Sequence, residues 1–203
     1  MITIVDYGMG NVGSLINIFK KVGVDSHATS SPDELRKASK IVLPGVGAFD
    51  AGMRNLRASG LINALEDRVR RDSIPLLGVC LGMQLLGRRS EEGSLEGLGW
   101  ISAESKRFVT SPDMPIKVPH MGWAYTSATR PAQLLSGMPP NPRFYFVHSY
   151  HVVCDDPSDV IAEAEHGSMF CAAVNRGNIW GVQFHPEKSH SFGMQLCRNF
   201  AAV

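Results

Sequence analysis

The 203-residue sequence lacks an excess of charge of either sign. Its 20 Lys and Arg stand against 19 Asp and Glu, for a formal net charge of +1. The charges are scattered, so no basic stripe of the kind that nucleic-acid binding requires is present. The four cysteines, Cys80, Cys154, Cys171 and Cys197, contain no CxxC and match neither a disulfide framework nor a zinc site, which predicts reduced thiols. No apolar run approaches the roughly 20 residues of a membrane-spanning helix. The opening "MITIVDYG" enters a strand-like run without the basic region and cleavage site of a secretory leader. Linkers, low-complexity segments and internal repeats are lacking as well. These absences argue against nucleic-acid-binding, membrane and disulfide-scaffold classes. They lead us to expect one soluble, cytoplasmic domain over residues 1–203, with 44% hydrophobic residues to fill its core.

What is present reads as strand, loop, helix, repeated. "ITIV" at 2–5 is a short β-branched run, closed by "DYGMGNVGS" and followed by the helical pattern "LINIFKKV". "KIVL" at 40–43 leads through "PGVGAF" to a helical region in which Leu61, Ile62, Leu65 and Val69 share a face. "IPLLGV" then leads to "CLGMQLLGRRS". Strands that are apolar throughout and alternate with helices predict a mostly parallel sheet covered on both faces. After about residue 97 the pattern changes to short extended runs, among them "WISAE", "RFYFVHSYHVV", "VIAEAE", "FCAAVNRG" and "IWGVQF". These predict a β-rich antiparallel or mixed portion in the C-terminal half, ending in the amphipathic helix "SFGMQLCRNFAAV". The fold class is α/β.

Cys80 sits at the carboxyl end of a predicted strand, where parallel sheets carry their functional loops. Gly78 and Gly82 flank it as Gly-x-Cys-x-Gly, the pattern of a nucleophile elbow, in which small neighbours let a strand turn abruptly into a helix. A helix starting near Leu81 would aim its free N–H groups at the sulfur and favour the thiolate. An arbitrary cysteine is more often a small buried hydrophobe. The glycines and a second strand end argue otherwise here. "GVQFHPEKS" supplies His185 as a general acid and base, with Glu187 two residues on to orient the imidazole across an extended Pro186. Backbone donors for an oxyanion are available at Leu81 and, if the "PGVG" loop (residues 44–47) turns a peptide inward, at Val46.

Other motifs carry less. Gly8, Gly10 and Gly13 satisfy G-x-G-x-x-G between a strand and a helix, but no acidic residue closes the second strand. A close-packed turn near a partner or phosphate explains them better than a dinucleotide site. His148 and His151 are expected on opposite faces of one strand, without companions to complete a metal site. No metal or cofactor is expected.

With "GVCLGMQLL" and "GVQFHPEKS" in place, the chain resembles the class I (triad) glutamine amidotransferase family. "IVDYGMGNVGS", "LPGVGAFDAGM", "VPHMGW" and "YFVHSYHV" extend the likeness over essentially the whole chain, toward glutaminase subunits of histidine biosynthesis. The resemblance implies a flavodoxin-like fold and hydrolysis of glutamine to glutamate and ammonia. It implies Cys80 as nucleophile, His185 as acid and base, Glu187 as its orienting partner, and no cofactor. Gly47, Gln84, Ser149 and Tyr150 match positions that line the glutamine pocket. Asn11, Trp123 and Lys188 match a docking face for a (β/α)8-barrel cyclase, which receives the ammonia. There a phosphoribulosyl formimino carboxamide ribotide becomes imidazole glycerol phosphate and an aminoimidazole carboxamide ribotide. Two features depart from that pattern. Ala124 stands where the family commonly has Asn, and the tail "HPEKSHSFGMQLCRNF" also resembles paralogues that feed ammonia to the modification of a surface-polysaccharide sugar. A non-catalytic module retaining the fold and a cysteine hydrolase acting alone are the remaining alternatives.

Overall fold

The computed structural model describes residues 1–110 and 115–203. The first half runs β1 (Ile2–Val5), α1 (Val12–Lys21), β2 (Ser26–Thr29), α2 (Pro32–Leu35), β3 (Ile41–Leu43) and α3 (Phe49–Ala58). It continues with α4 (Ile62–Leu65), a wider helical turn over Glu66–Arg71, β4 (Leu76–Val79) and α5 (Leu81–Leu85). The second half comprises β5 (Arg89–Ser90), β6 (Ala103–Arg107), β7 (His120–Ala128), β8 (Arg143–His148), β9 (Tyr150–Cys154), β10 (Val160–His166), β11 (Ser168–Arg176), β12 (Ile179–Val182) and α6 (His190–Ala202).

Nine strands form one sheet in the order β2-β1-β3-β4-β12-β11-β10-β7-β8, and β5-β6-β9 form a small second sheet. From β2 to β12 every pairing is parallel; beyond β12 every pairing is antiparallel. This is the expected α/β class, with the flavodoxin-like order in its parallel part. Every residue of β1, β3, β4 and β12 is buried, because helices or loops cover both faces, and the strands therefore read as apolar runs in which Thr3 is the one polar side chain. In α1 the Asn11 side chain caps the first turn by accepting from the Ser14 amide at 3.2 Å. Leu15, Ile18 and Phe19, spaced three and four apart, form the helix's buried stripe. Two apolar clusters flank the sheet. One is built around Phe19, Phe144, Phe146, Phe184 and Phe200, the other around Phe49, Leu56, Leu65, Leu81 and Leu85. Each buried side chain of this size contributes about 1.5–3 kcal/mol of transfer free energy.

One register matters most for the site. Val79 of β4 pairs with Val182 of β12 in parallel. The residues that follow, Cys80 and Gln183, therefore leave the sheet side by side. β3 pairs with β4 up to Leu43 opposite Gly78, which brings the 44–47 loop to the same edge.

The sequence reading needs correction at several places. "CLGMQLLGRRS" is not one helix: α5 stops at Leu85, and Arg89–Ser90 becomes a strand parallel to β6. "RFYFVHSYHVV" is not one strand. It divides at Ser149 into β8 of the large sheet and β9 of the small one. β7 has no strand signal in the sequence, because its exposed face carries Met121, Trp123 and Tyr125 in place of polar residues and so hides the alternation. No helix of the described residues is long and apolar enough to cross a membrane.

Candidate active site

Cys80 follows β4 with φ 54° and ψ −111°, a left-handed conformation that non-glycine residues rarely adopt. Such a backbone costs about 1–3 kcal/mol and persists only where its surroundings hold it. They do so here. The Cys80 amide donates to the Val182 carbonyl at 2.8 Å, and its carbonyl accepts from Met83 and Gln84 at 3.0 and 3.3 Å. The flanking glycines follow from close approach. A Cβ on Gly82 would run into the Leu43 carbonyl, and one on Gly78 would meet the Gly82 carbonyl oxygen at 2.8 Å. The strand, the elbow and α5 thus pack backbone against backbone, leaving no room for a side chain at either position.

His185 emerges two residues after Gln183, its amide donating to the Tyr145 carbonyl at 2.9 Å. Its Nδ1–H donates to Glu187 Oε1 at 2.8 Å, and both side chains are almost fully buried. Pro186 does not extend the backbone as expected. Pro186–Lys188 is a tight 3-10 turn, closed by the Ser189 hydroxyl on the His185 carbonyl at 2.6 Å. The turn, and not an extended segment, swings the carboxylate back onto the imidazole. Nδ1 is committed to Glu187, which leaves Nε2 as the free nitrogen, and Nε2 has no hydrogen-bond partner. Burial would favour the neutral imidazole. The Cys80 sulfur and the Glu187 carboxylate outweigh that desolvation and push the His185 pKa up to about 10. The two acidic neighbours thus favour the imidazolium, with Nε2 as the nitrogen free to exchange a proton.

A cleft of about 410 Å3 opens in front of this group, and Cys80, Gln84, Ser149, Tyr150 and His185 line it together with Gly47. All four positions assigned to the glutamine pocket thus border one cavity, as do Val46 and Leu81. The two amides expected to serve as oxyanion donors, those of Leu81 and Val46, differ in how free they are. The Leu81 amide donates to the Gly45 carbonyl at 3.3 Å, so the loop that should complete the hole occupies one of its donors. Val46 is 43% exposed, and Gly47 holds φ at +102°.

Three further residues escaped the sequence reading. Tyr7, buried after β1, donates its hydroxyl to the Pro44 carbonyl at 2.8 Å and so tethers the 44–47 loop. Burial and the neighbouring Cys80 both raise the Tyr7 pKa, keeping that hydroxyl protonated. Glu92 also borders the cleft; its Oε2 accepts from the Phe49 amide at 2.8 Å at the head of α3. Gln183, fully buried, reaches the Cys80 sulfur itself: its Nε2 lies 3.7 Å from Sγ. Only its position one residue after the strand that pairs with β4 signals this.

The glycine-rich turn after β1 is a packing device. A Cβ on Gly10 would meet Pro44 Cβ at 2.9 Å, so the turn lies against the 44–47 loop. His148 and His151 do not lie on opposite faces of one strand. They belong to β8 and β9, and both rings pack on Phe108, with centroids 5.2 and 4.7 Å away. His148 bonds the Tyr150 carbonyl through Nδ1 at 2.8 Å, and its Nε2 faces His120 Nδ1 at 3.3 Å. No group of three or more potential metal ligands occurs among the described residues.

The three positions assigned to docking lie on one side. The Trp123 ring stacks on His190 at 5.3 Å, and Lys188 Nζ lies 5.5 Å from the Tyr145 ring centre. Asn11 caps α1, whose Ser14, Asn17 and Lys21 wall a surface hollow shared with Lys188 and His190. Ala124 faces the other way and packs against the core.

A strained cysteine at a strand end, opposite a buried His–Glu pair on a flavodoxin-like sheet, places this molecule among cysteine-dependent amide-processing proteins in geometry. The family follows from comparison: the model for "Glutamine amidotransferase class-I" matches residues 3–203, and the chain belongs to that family. It is 52% identical to the imidazole glycerol phosphate synthase subunit HisH 2 of Pseudomonas aeruginosa, over 203 residues and all of both chains. Over 200 residues it is 50% identical to the subunit of the same name from Methanococcus maripaludis, covering 98% of each chain. The HisH subunit of Leptospira borgpetersenii is 46% identical over the full length of both. Among solved structures, a glutamine amidotransferase superposes with a TM-score of 0.76 at 18% identity, covering 100% of this chain and 98% of that one. PurLQS from Thermotoga maritima gives 0.74 at 15% identity, covering 99% and 97%. At such identities these two likenesses speak for the fold alone.

Proposed function

We propose that this chain is the glutaminase subunit of an imidazole glycerol phosphate synthase, acting in the cytoplasm with a (β/α)8-barrel cyclase as its partner. The observation that carries the chemistry is the strained Cys80 beside the buried His185–Glu187 pair, at the head of the 410 Å3 cleft. Full-length identity to HisH subunits supports the pathway.

The reaction proceeds in two halves. The Cys80 thiolate attacks the side-chain amide carbon of glutamine, and the carbonyl π electrons move to oxygen. Backbone N–H groups of Leu81 and Val46 receive that oxyanion. Because the Gly45 carbonyl holds the Leu81 amide, the 44–47 loop must move before both donors are available. His185 passes its Nε2 proton to the departing nitrogen, the C–N bond breaks, and ammonia leaves behind a γ-glutamyl thioester. His185, now neutral, takes a proton from water as the water attacks the thioester; the C–S bond breaks, glutamate leaves and the thiolate–imidazolium pair is restored. Glu187 holds the imidazole tautomer throughout. Gly47, Gln84, Ser149 and Tyr150 orient the substrate, and the second oxygen of Glu92 meets its α-ammonium group.

An apolar strip supports a docking partner. Met121, Trp123 and Tyr125 alternate along the outer face of β7 and are 64%, 41% and 64% exposed. It continues into His190 and Lys188, beside the triad turn. The test is glutamate release by the chain alone, then with the cyclase and its nucleotide substrate. We expect low turnover alone and strong stimulation by the liganded partner. Equal turnover in both conditions, or activity that survives Cys80→Ala, would overturn the reading. A second reading keeps the glutaminase and changes the acceptor to a surface-polysaccharide sugar; it rests on Ala124 and the tail from His185 to Phe200. Stimulation by the partner of that pathway, and not by the histidine-pathway cyclase, would decide for it.

A further inference from the structure

We propose that Gln183 acts on the nucleophile directly, as a side-chain N–H donor that stabilises the Cys80 thiolate, and that the Tyr150 carbonyl fixes the direction of this donation. The inference rests on the reading of Cys80 as nucleophile and adds a residue to it.

Proton accounting through the network carries the inference. Gln84 Nε2 lies 2.9 Å from the Tyr150 carbonyl oxygen and 3.0 Å from the side chain of Gln183. A backbone carbonyl can only accept, so the Gln84 atom facing it must be the NH2 group. One of its protons goes to Tyr150 and the other to Gln183, whose facing atom must therefore be Oε1. The remaining end of the Gln183 amide, Nε2, then points at Cys80 Sγ 3.7 Å away, a contact lengthened by the size of sulfur. The reverse orientation would set two NH2 groups against each other and aim a carbonyl oxygen at the sulfur. His148 Nδ1 reinforces the anchor by donating to the same Tyr150 oxygen at 2.8 Å. Gln183 is fully buried and Gln84 nearly so, and water does not compete for these bonds.

The thiol and thiolate use this environment differently. A protonated Cys80 donates weakly toward the Val147 carbonyl at 4.0 Å. Once the proton is on His185, that carbonyl offers the sulfur nothing, and the Gln183 N–H becomes its hydrogen-bond donor. Charge-assisted bonds are roughly twice as strong as neutral ones, so the contact favours the ion pair over the neutral pair. The network also commits both Gln84 amide protons. Its Oε1 alone is left for substrate, and Gln84 therefore serves as an acceptor in the cleft.

Alkylation tests this without glutamine or partner, so its outcome is separate from that of the glutaminase assay. Iodoacetamide modification of the Cys80 peptide is followed by mass spectrometry from acid to alkaline pH, with Cys154 as the internal reference. Gln183→Met keeps the side-chain length and removes the donor. We expect Cys80 alkylation at neutral pH to slow about ten-fold, the expected scale for losing one donor to an anion. Its pH profile should move to higher pH while Cys154 is unaffected. In Gln183→Glu the ionised carboxylate faces the sulfur, and we expect stronger slowing that is relieved on acidification as the carboxyl O–H becomes a donor. A folded Gln183→Met protein with the parent's rate and profile would overturn the proposal. The parent chain supplies a measurement free of folding risk. With glutamine side chains 15N-labelled, the Gln183 amide should titrate with pH in step with Cys80 alkylation and stop titrating in Cys80→Ala. A Gln183 amide that ignores the state of Cys80 would equally refute it.

Discussion

Replacing Glu187 by Gln isolates the electrostatic part of the proposed triad. The substitution keeps an oxygen that can accept from His185 Nδ1 and removes only the charge. His185 rises from 6.5 to about 10 against the opposing effect of burial. Of the two groups that oppose burial there, Cys80 and Glu187, only Glu187 is altered by this substitution. A hydrogen bond between charged groups is worth roughly 1.5–3 kcal/mol, so losing the charge at 2.8 Å from Nδ1 predicts a kcat loss of about 30-fold. KM should change by less than about two-fold, because Glu187 lies behind the imidazole and does not line the cleft. The assay is glutamate release at saturating partner and nucleotide. A linked prediction concerns stability. The folded pKa is raised, so the His185 contribution is complete below about pH 6.5 and is lost as pH climbs through about 10. In Glu187→Gln that loss should finish at lower pH, visible as a smaller drop in urea midpoint on the alkaline side. A variant with kcat within about three-fold of the parent, or one whose loss lies in KM, would refute the assignment of Glu187 as the electrostatic partner.

Other predictions follow from the same geometry. Gly82→Ala drives a Cβ into the Leu43 carbonyl, where only backbone can yield; we expect about 1–3 kcal/mol of destabilisation by thermal melt. Catalysis should fall by about 100-fold, because the elbow shifts with α5. A parent-like melting temperature would contradict this. His120 and His148 are held neutral by burial, with pKa values near 4 and 3. The unfolded chain takes up their protons first, so stability should fall as pH drops below about 6.5 and continue falling toward those values. Replacing His120 by Gln should flatten that acid limb in denaturant titrations. Tyr7→Phe leaves the Pro44 carbonyl without its donor. It should cost about 1–2 kcal/mol in urea denaturation, and no change would show that water replaces the hydroxyl.

Much of the parallel half was legible because its residues answer to one local rule at a time. β1, β3 and β4 are apolar but for the buried Thr3, and α1 shows a buried stripe behind an Asn cap. The second half was less legible. In β7 the outward face is apolar, so alternation gives no signal. The break at Ser149 reflects a change of sheet that no local propensity announces. Pro186 is ambiguous for a related reason: an extended backbone and a 3-10 turn both bring His185 and Glu187 together, and the turn is held by the Ser189 hydroxyl and the Lys188 amide on the His185 carbonyl.

The residue types and spacings by themselves determined that Cys80 stands between two glycines at a strand end, and that a histidine and a glutamate follow another strand. Those are covalent facts about neighbours in the chain. Only the tertiary structure decided that the two strand ends meet, since the register of Val79 on Val182 joins residues about 100 positions apart through sheet hydrogen bonds. The same register places Gln183 against the sulfur, and the approach of β3 puts the Gly45 carbonyl on the Leu81 amide. The chemistry of each side chain is fixed by its covalent structure. Which proton faces which atom is fixed by packing, because a buried donor must find its acceptor among whatever the fold brings within reach.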